Sequence, residues 1–136
     1  SGGLDSSLIT ALVNKYNPYT VNTYSVGMTG GTDFHYAAKV AEHLGTNHHE
    51  IYFTAEEGID VVEKVIYALE TYDITTIRAS VGMYLMSEYI SKNTDDIVIY
   101  SGEGADEVSQ GYLYFHNAPS VYESSVDSLR LMENLH

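Results

Sequence analysis

The stretch Ser1-Gly2-Gly3-Leu4-Asp5-Ser6-Ser7 is a glycine- and hydroxyl-rich turn that runs into an apolar helical segment. Gly2 and Gly3 have no Cβ and can turn tightly, so successive backbone N–H groups can converge on an anion at the start of a helix. The hydroxyls of Ser6 and Ser7 add hydrogen-bond donors beside those amides. The pattern predicts a phosphate pocket where a loop enters a helix. The plain alternative is a glycine turn that caps a helix, since helix N-termini favour the same residues.

This loop differs from the common nucleotide-binding motifs. It has no Lys before a hydroxyl residue, as a Walker A loop requires, and no G-x-G-x-x-G pattern. It carries Asp5 instead, and a carboxylate beside a phosphate is repulsive unless a divalent cation lies between them. The loop therefore predicts ATP bound with Mg²⁺. The string S-G-G-x-D-S resembles the pyrophosphate-binding loop of ATP pyrophosphatases, which cleave ATP to AMP and pyrophosphate.

Composition limits the size and class of the protein. The chain has 136 residues and is 44% hydrophobic, which is enough for one compact domain with a core but hardly for two. The apolar strand that normally leads into such a loop does not precede Ser1, so we expect residues 1–136 to form a single partial domain. The absence of cysteine excludes disulfides, thiolate zinc sites and a cysteine nucleophile within these residues.

The charge is strongly acidic. A net charge of −13, from 19 acidic and 6 basic residues, argues against a nucleic-acid partner, which needs clustered Lys and Arg. No apolar run reaches membrane-spanning length, and no signal-peptide pattern is present. We expect a cytoplasmic protein with no membrane partner. Bound ATP would then depend on backbone amides, a helix N-terminus and Mg²⁺ for positive potential.

Hydrophobic periodicity predicts alternating strands and helices, which is typical of an α/β fold. Glycine-containing turns separate the segments, and Gly45 marks a helix C-terminus. The predicted helices are Leu8–Lys15, a segment from Asp33 to Leu44, Ala55–Leu69, Ala79–Ile90 and Val121–Leu135; the predicted strands are Thr20–Val26, His49–Thr54 and Asp96–Tyr100.

A second loop, Ser101-Gly102-Glu103-Gly104-Ala105-Asp106-Glu107, follows the predicted buried strand Asp96–Tyr100. Ligands of open parallel sheets bind outside the carboxyl ends of the strands, so we expect the two loops to face each other. Asp5 and Asp106 would then share one Mg²⁺ on the pyrophosphate, with Glu103 and Glu107 beside it. A glycine-rich turn after a strand is the alternative. The histidines at positions 43, 48 and 49 are a weak candidate for a metal site, because neighbouring strand residues point to opposite faces.

Further stretches complete a family resemblance. Three segments resemble the synthetase domain of glutamine-hydrolysing asparagine synthetases. They are Glu70-Thr71-Tyr72-Asp73-Ile74-Thr75-Thr76-Ile77-Arg78-Ala79-Ser80, the loop 101–107, and Gly111-Tyr112-Leu113-Tyr114-Phe115-His116. The resemblance covers nearly the whole chain. It implies an open, mostly parallel sheet with helices on both faces, of the adenine nucleotide alpha hydrolase type, incomplete here at both ends.

The resemblance also implies an activity. Such enzymes activate aspartate with ATP as β-aspartyl-AMP, release pyrophosphate, and let ammonia displace AMP to give asparagine. The ammonia comes from glutamine, hydrolysed in a separate glutaminase domain that residues 1–136 do not include. A homodimer is compatible with this family. Because no lysine lies near either loop to steady the phosphates, we expect the isolated 136 residues to be inactive.

Site residues follow from the resemblance position by position. Glu103 would act at the intermediate, by taking a proton from ammonia or orienting the acid. Arg78 would stabilise negative charge on the reacting phosphate, although a surface cation at a helix start is the alternative. Thr75 and Thr76 would lie near that phosphate. The implied nucleotide-binding residues are Ser1, Gly2, Gly3, Asp5, Ser6 and Ser7 for pyrophosphate, Val26 on the adenine side, and Ser101 and Gly102.

Two other classes of function stay open at this point. One is another ATP pyrophosphatase, such as a β-lactam-forming or tRNA-modifying relative; residues 72–78 favour the asparagine synthetases, and the acidic charge disfavours tRNA. The other is a nucleotide-binding fragment without catalysis.

Overall fold

The computed structural model describes residues 1–133, which fall into two compact units, the first Ser1–Tyr100 and the second beginning at Ser101. The first unit contains α1 (Leu4–Tyr16), β1 (Asn22–Met28), α2 (Asp33–Leu44), β2 (Asn47–Phe53), α3 (Ala55–Asp60), α4 (Val62–Leu69) and α5 (Ile74–Asn93). The second contains α6 (Ala105–Ser109), a 3-10 helix over Leu113–Asn117, and α7 (Val121–Glu133). The end of the predicted helix Val121–Leu135 lies outside the described residues. That residues 1–136 are one partial domain stays a prediction.

The first unit is built on a parallel strand pair. β1 and β2 pair in register from Asn22 opposite Asn47 to Met28 opposite Phe53. Parallel neighbours need a long crossover, and α2 supplies it. This helix ends where predicted, because Gly45 adopts the left-handed conformation (φ 68°) that lets its N–H satisfy the last carbonyl groups. The α/β class and the parallel pairing are therefore confirmed.

Helices cover both faces of this strand pair. On one face Phe34 of α2 packs on Tyr52, with ring centroids 4.3 Å apart. On the other face Val26 and Phe53 lie against Gly82 of α5. Successive strand residues point to opposite faces of the sheet. Because helices cover both faces, β1 and β2 carry apolar side chains at adjacent positions as well as at alternating ones.

The core of the described residues is small. Val65 on α4 is 1% exposed, and full burial of such a side chain stabilises the fold by about 1.5–3 kcal/mol. The other buried apolar residues are Phe34, Ala37, Ala41, Val61, Ile90 and, in the second unit, Phe115. Within residues 1–133, no helix is both long and apolar enough to cross a membrane.

Two helices start earlier than the sequence predicts. α1 begins at Leu4 rather than Leu8, because Gly3 serves as its N-cap and Asp5 is favoured in the first turn by the helix dipole. α5 begins at Ile74 rather than Ala79, because the Asp73 side chain caps it. The catalytic candidates at 75, 76 and 78 consequently lie on a helix.

The predicted helix Ala55–Leu69 is interrupted. It forms α3 and α4, separated by Val61. Thr54 and Glu57 build a capping box that starts α3. Gly58 weakens the helix that follows, since glycine costs about 1 kcal/mol relative to alanine in a helix interior. The strands are displaced by about two residues from their predicted starts, a shift that hydrophobic alternation does not resolve.

The predicted buried strand Asp96–Tyr100 is wrong for the described residues. The segment has no regular secondary structure, and Ile97 is 94% exposed. Asp96 is anchored beside β1, since its carboxylate accepts hydrogen bonds from Asn22 (2.9 Å) and from the hydroxyl of Tyr24. A strand also needs a neighbour for its backbone groups, and the sheet of residues 1–133 consists of β1 and β2 alone.

Candidate functional site

The glycine loop leads directly into α1. Gly3 is the N-cap residue, its backbone is extended, and no side chain caps the helix. The Ser1 hydroxyl accepts a hydrogen bond from the Gly3 N–H (3.2 Å) and bonds the Ser6 hydroxyl (3.1 Å). The Ser7 hydroxyl donates to the Gly3 carbonyl (2.6 Å). The first-turn N–H groups therefore lack side-chain acceptors, which is the arrangement that binds anions at helix N-termini.

Contact with α2 holds the loop in place. Gly2 has a positive φ of 76°, and a Cβ there would lie 2.5 Å from the carbonyl carbon of Tyr36 and 2.6 Å from the nitrogen of Ala37. Position 2 therefore requires glycine for two reasons, its backbone conformation and the close approach of α2. Sequence reasoning identified this glycine but not its contact, because α2 is distant in the sequence.

Asp5 lies in the first turn of α1 and is half-buried. Within residues 1–133, its carboxylate takes part in no hydrogen bond or ion pair. A carboxylate oxygen is the ligand that Mg²⁺ prefers. Asp5 is thus free to meet a cation at the same end of α1 as the amide groups.

A second group of predicted residues lies at the start of α5. The Asp73 carboxylate accepts hydrogen bonds from the N–H of Thr76 (2.7 Å) and from its hydroxyl (2.8 Å). These bonds, the amide bond first, hold the pKa of Asp73 below its ordinary value. Thr75 and Arg78 are exposed, and among residues 1–133 no ion pair includes Arg78. The structure therefore brings the three candidates onto one exposed helical turn.

Asp73 itself was missed by sequence reasoning. The signal was present, since an Asp followed three residues later by a donor at the start of an apolar stretch is typical of a helix N-cap. Val26, by contrast, is placed in the middle of β1 with its side chain against α5. Its contact with adenine stays a prediction.

The second loop is a compact turn that opens α6. The Ser101 hydroxyl accepts a hydrogen bond from the Glu103 N–H (3.1 Å), and the Gly102 carbonyl accepts one from the Ala105 N–H (3.3 Å). Gly104 has a φ of 85°, which favours glycine. The side chain of Glu103 remains exposed. The loop therefore presents Glu103 to solvent, and its role at the intermediate stays a prediction.

The acidic side chains after this loop have different partners. The Asp106 carbonyl accepts a hydrogen bond from the Gly111 N–H (3.0 Å), and a Cβ at position 111 would lie 2.0 Å from a carboxylate oxygen of Asp106. The Glu107 carboxylate accepts a hydrogen bond from the Tyr112 hydroxyl, which raises the pKa of Tyr112 to about 12. Glu107 is therefore engaged, whereas no hydrogen bond within residues 1–133 uses the Asp106 carboxylate. Sequence reasoning missed the pair of Glu107 and Tyr112.

The model of the asparagine synthase family matches residues 1–136. The chain belongs to the asparagine synthase family. It is 54% identical to proteins named asparagine synthetase [glutamine-hydrolyzing] from Gallus gallus and Bos taurus, and 52% identical to that from Homo sapiens. Each match covers 100% of this chain and 25% of the relative, so the chain spans about a quarter of the length of these relatives.

Membership of the asparagine synthase family confirms the resemblance found in the sequence. Among residues 1–133, no group of three or more His, Asp and Glu side chains is arranged to hold a metal ion. His48 instead bonds the hydroxyls of Thr23 (2.9 Å) and Ser25 (3.1 Å). Asp5 and Asp106 belong to different units, and their sharing of one Mg²⁺ stays a prediction.

Proposed function

We propose that the natural-length protein is an ATP-dependent, glutamine-hydrolysing asparagine synthetase, a carbon–nitrogen ligase. It would join ammonia to the side-chain carboxyl group of aspartate and release AMP and pyrophosphate. Family membership and the names of relatives that are 52–54% identical over the whole chain support this proposal. The observation that carries it is the start of α1, where the glycine loop leads into first-turn N–H groups that have no side-chain cap.

The loop suits pyrophosphate. The first-turn N–H groups and the positive end of the α1 dipole favour an anion, and the hydroxyls of Ser1 and Ser6 lie together beside them. The Ser7 hydroxyl donates to the Gly3 carbonyl, which links the first turn of α1 to its N-cap residue. This pocket uses backbone groups rather than lysine, which agrees with the scarcity of basic residues in the chain.

Asp5 and Asp106 are the proposed carboxylates for Mg²⁺. Both present carboxylate groups without hydrogen-bond donors in the described residues, and oxygen ligands of this type fit a hard cation. When bound, Mg²⁺ would offset the repulsion between these carboxylates and the ATP phosphates. The residues of this chain would otherwise orient the triphosphate, with Ser101 and Gly102 contacting the nucleotide and Val26 on its adenine side.

The chemistry would proceed in two displacements. A carboxylate oxygen of aspartate attacks the α-phosphorus of ATP, a new O–P bond forms, and pyrophosphate leaves to give β-aspartyl-AMP. Ammonia then attacks the acyl carbon, the C–O bond to AMP breaks, and a proton is lost from nitrogen. Arg78 is the proposed stabiliser of charge on the reacting phosphate, with Thr75 and Thr76 beside it. Glu103 is the proposed proton acceptor or orienting group.

The ammonia would come from glutamine through a glutaminase domain in the same polypeptide. The relatives' printed names include glutamine hydrolysis, and they are about four times as long as this chain. We propose that the small-molecule substrates are ATP, aspartate and glutamine, with a homodimer as the assembly and the cytoplasm as the location.

Two matched substitutions test the shared cation. Asp5→Asn and Asp106→Asn, made separately in the natural-length protein, each remove one charge with little change of shape. We expect each to abolish AMP formation from Mg-ATP, aspartate and ammonium, whereas Asp60→Asn on the exposed end of α3 should leave it unchanged. Full activity in either Asn variant would contradict the proposed metal pair.

A further inference from the structure

Glu70 has an unfavourable backbone conformation. It is the C-cap residue of α4, and its φ of 52° and ψ of 35° place it in the left-handed region. Glycine adopts this region freely, whereas a residue with a Cβ is strained there. α2 ends in the same conformation at Gly45, with glycine in that place. A glutamate at position 70 is less stable than glycine would be, and such strain points to a role for its side chain.

Gln110 has the same conformation but a structural role. It ends α6 with a φ of 58°, and Glu70 and Gln110 are the two non-glycine residues with a positive φ within residues 1–133. The side-chain oxygen of Gln110 accepts a hydrogen bond from the Ser124 hydroxyl of α7 (3.4 Å). Glu70 has no such bond, since its carboxylate takes part in no hydrogen bond or ion pair within the described residues.

The turn 70–73 is held by its other polar side chains. The Thr71 hydroxyl accepts a hydrogen bond from the Asp73 N–H (3.2 Å), and the Asp73 carboxylate accepts one from the Thr76 N–H (2.7 Å). These bonds fix the backbone between α4 and α5, while the side chain of Glu70 stays exposed. An unbonded carboxylate on a fixed turn is a ready acceptor for a cationic group.

The turn 70–73 lies at the carboxyl end of β1. A Cβ on Gly82 of α5 would lie 3.5 Å from the Val26 side chain, and Asp96, which follows α5, bonds Asn22 at the start of β1. α5 therefore runs antiparallel to β1. Its first residue, Ile74, is eight residues before Gly82, about 12 Å along the helix, whereas β1 ends two residues after Val26, about 7 Å further on. The start of α5 thus extends beyond the end of the strand.

The glycine loop lies at the same end of the sheet. Gly2 touches Tyr36 in the first turns of α2, and α2 follows the carboxyl end of β1. The carboxyl ends of parallel strands are where open α/β sheets bind their ligands. Glu70, Arg78 and the glycine loop are therefore grouped at the ligand-binding end of the first unit.

We propose that Glu70 determines specificity for the acid substrate, its carboxylate accepting hydrogen bonds from the α-ammonium group of aspartate. This inference rests on the proposed function. ATP is anionic, ammonia attacks as a neutral molecule and glutamine is hydrolysed in another domain, so this ammonium group is the cation to be recognised at the synthetase site. A bond between an ammonium group and a carboxylate is stronger than one between neutral groups. Arg78 remains available for the reacting phosphate.

Succinate, which is aspartate without its amino group, provides the test. AMP release from Mg-ATP and ammonium is measured in the natural-length protein with either acid. We expect Glu70→Gln to raise the KM for aspartate by about 30-fold or more, because an ammonium group loses its charged partner. The KM values for ATP and ammonium, and the slow reaction with succinate, should not change. Glu63→Gln is the matched control, since Glu63 is also exposed on α4 and makes no hydrogen bond within residues 1–133.

The outcomes distinguish this inference from the proposed function. An unchanged KM for aspartate in Glu70→Gln, beside a parent protein that forms AMP with aspartate, would overturn the inference alone. A raised KM for ammonium with an unchanged KM for aspartate would also overturn it, because ammonium would then be the cation bound. A parent protein that forms no AMP with aspartate would overturn the proposed function, and the inference with it.

Glu70→Gly separates recognition from folding. Glycine removes the strain of the left-handed conformation, so we expect the unfolding midpoint to rise by about 1 °C or more. The KM for aspartate should nevertheless rise as it does in Glu70→Gln. A more stable variant that selects aspartate less well is the signature of strain kept for function. A lower midpoint would overturn the inference, since the glutamate side chain would then serve the fold.

Discussion

Gly2 lies so close to Tyr36 that a Cβ at position 2 would be 2.5 Å from the Tyr36 carbonyl carbon. This approach fixes the glycine loop against α2, the helix that also carries the chain from β1 to β2. The geometry of the loop is therefore tied to the sheet and does not depend on the glycines alone.

Gly2→Ala should disrupt both the loop and the fold around it. An alanine held at this positive φ costs about 1–2 kcal/mol, and its Cβ would also overlap with the α2 backbone. We therefore expect the free energy of unfolding to fall by at least about 2 kcal/mol. Chemical denaturation of the natural-length protein measures it. Gly30→Ala is the control, because Gly30 has a similar φ of 88° but open space around its α-carbon. Equal losses in the two variants would show that the α2 contact is unimportant.

Removal of the Asp73 cap should loosen the first turn of α5. Asp73→Ala leaves the Thr76 N–H without its acceptor, so we expect faster amide exchange at residues 74–77 and a midpoint lower by a few degrees. Asp73→Asn keeps an acceptor and should behave like the parent protein. If Asp73 also positions Arg78, the Ala variant alone should lose synthetase activity. Unchanged exchange in Asp73→Ala would contradict the assigned cap.

Acid should also weaken this cap. The folded-state pKa of Asp73 is below its ordinary value of 3.8, so its contribution to stability is present above that value and is lost as pH falls through the lower folded pKa. The Thr76 amide proton, followed by NMR, should shift with that same low pKa. A titration of this amide at or above the ordinary value would contradict the bond.

His48 should make the fold sensitive to mild acid. Burial lowers its pKa below the ordinary value of 6.5, with the Glu50 carboxylate opposing the shift. As pH falls, His48 therefore takes up a proton in the unfolded chain before it does so in the folded protein. The stability contribution of neutral His48 is present above pH 6.5 and is lost as pH falls below that value toward the lower folded pKa. Unfolding midpoints measured from pH 7.5 to 5.5 should fall in the parent protein. In His48→Gln the fall should be smaller, and an identical pH profile would contradict this role.

The pKa of Tyr112 should depend on Glu107. The hydroxyl donates to the Glu107 carboxylate, and the folded pKa of about 12 exceeds the ordinary value of 10, so this bond is intact below pH 10 and is lost as pH rises through 12. Glu107→Gln should move the pKa of Tyr112 back toward 10, as followed by ring-carbon NMR and assigned with Tyr112→Phe. Glu123→Gln serves as the charge-matched control. No change in Glu107→Gln would contradict the assigned partner.

Local signals in the sequence were sufficient for part of the fold. The C-terminus of α2 at Gly45 and the alternation of strands and helices follow from short-range patterns, and the structure confirms them. The glycine loop before α1 was likewise evident, because the residue types themselves determine its backbone freedom.

Other features depend on contacts that short-range patterns do not contain. Residues 96–100 have strand-like composition, but strand formation needs a neighbour, and residues 1–133 supply none beside them. The approach of Tyr36 to Gly2 joins segments separated by the whole of α1 and β1. The Asp73 cap was readable in principle but was hidden by the stronger apolar pattern that begins at Ala79.

We propose that this chain is part of an enzyme that activates aspartate with ATP. The most direct measurement is AMP and pyrophosphate release by the natural-length protein from Mg-ATP and ammonium, with aspartate present and with aspartate omitted. We expect equimolar AMP, pyrophosphate and asparagine when aspartate is present, and no release without it. Formation of ADP in place of AMP, or AMP release that does not require aspartate, would contradict the claim.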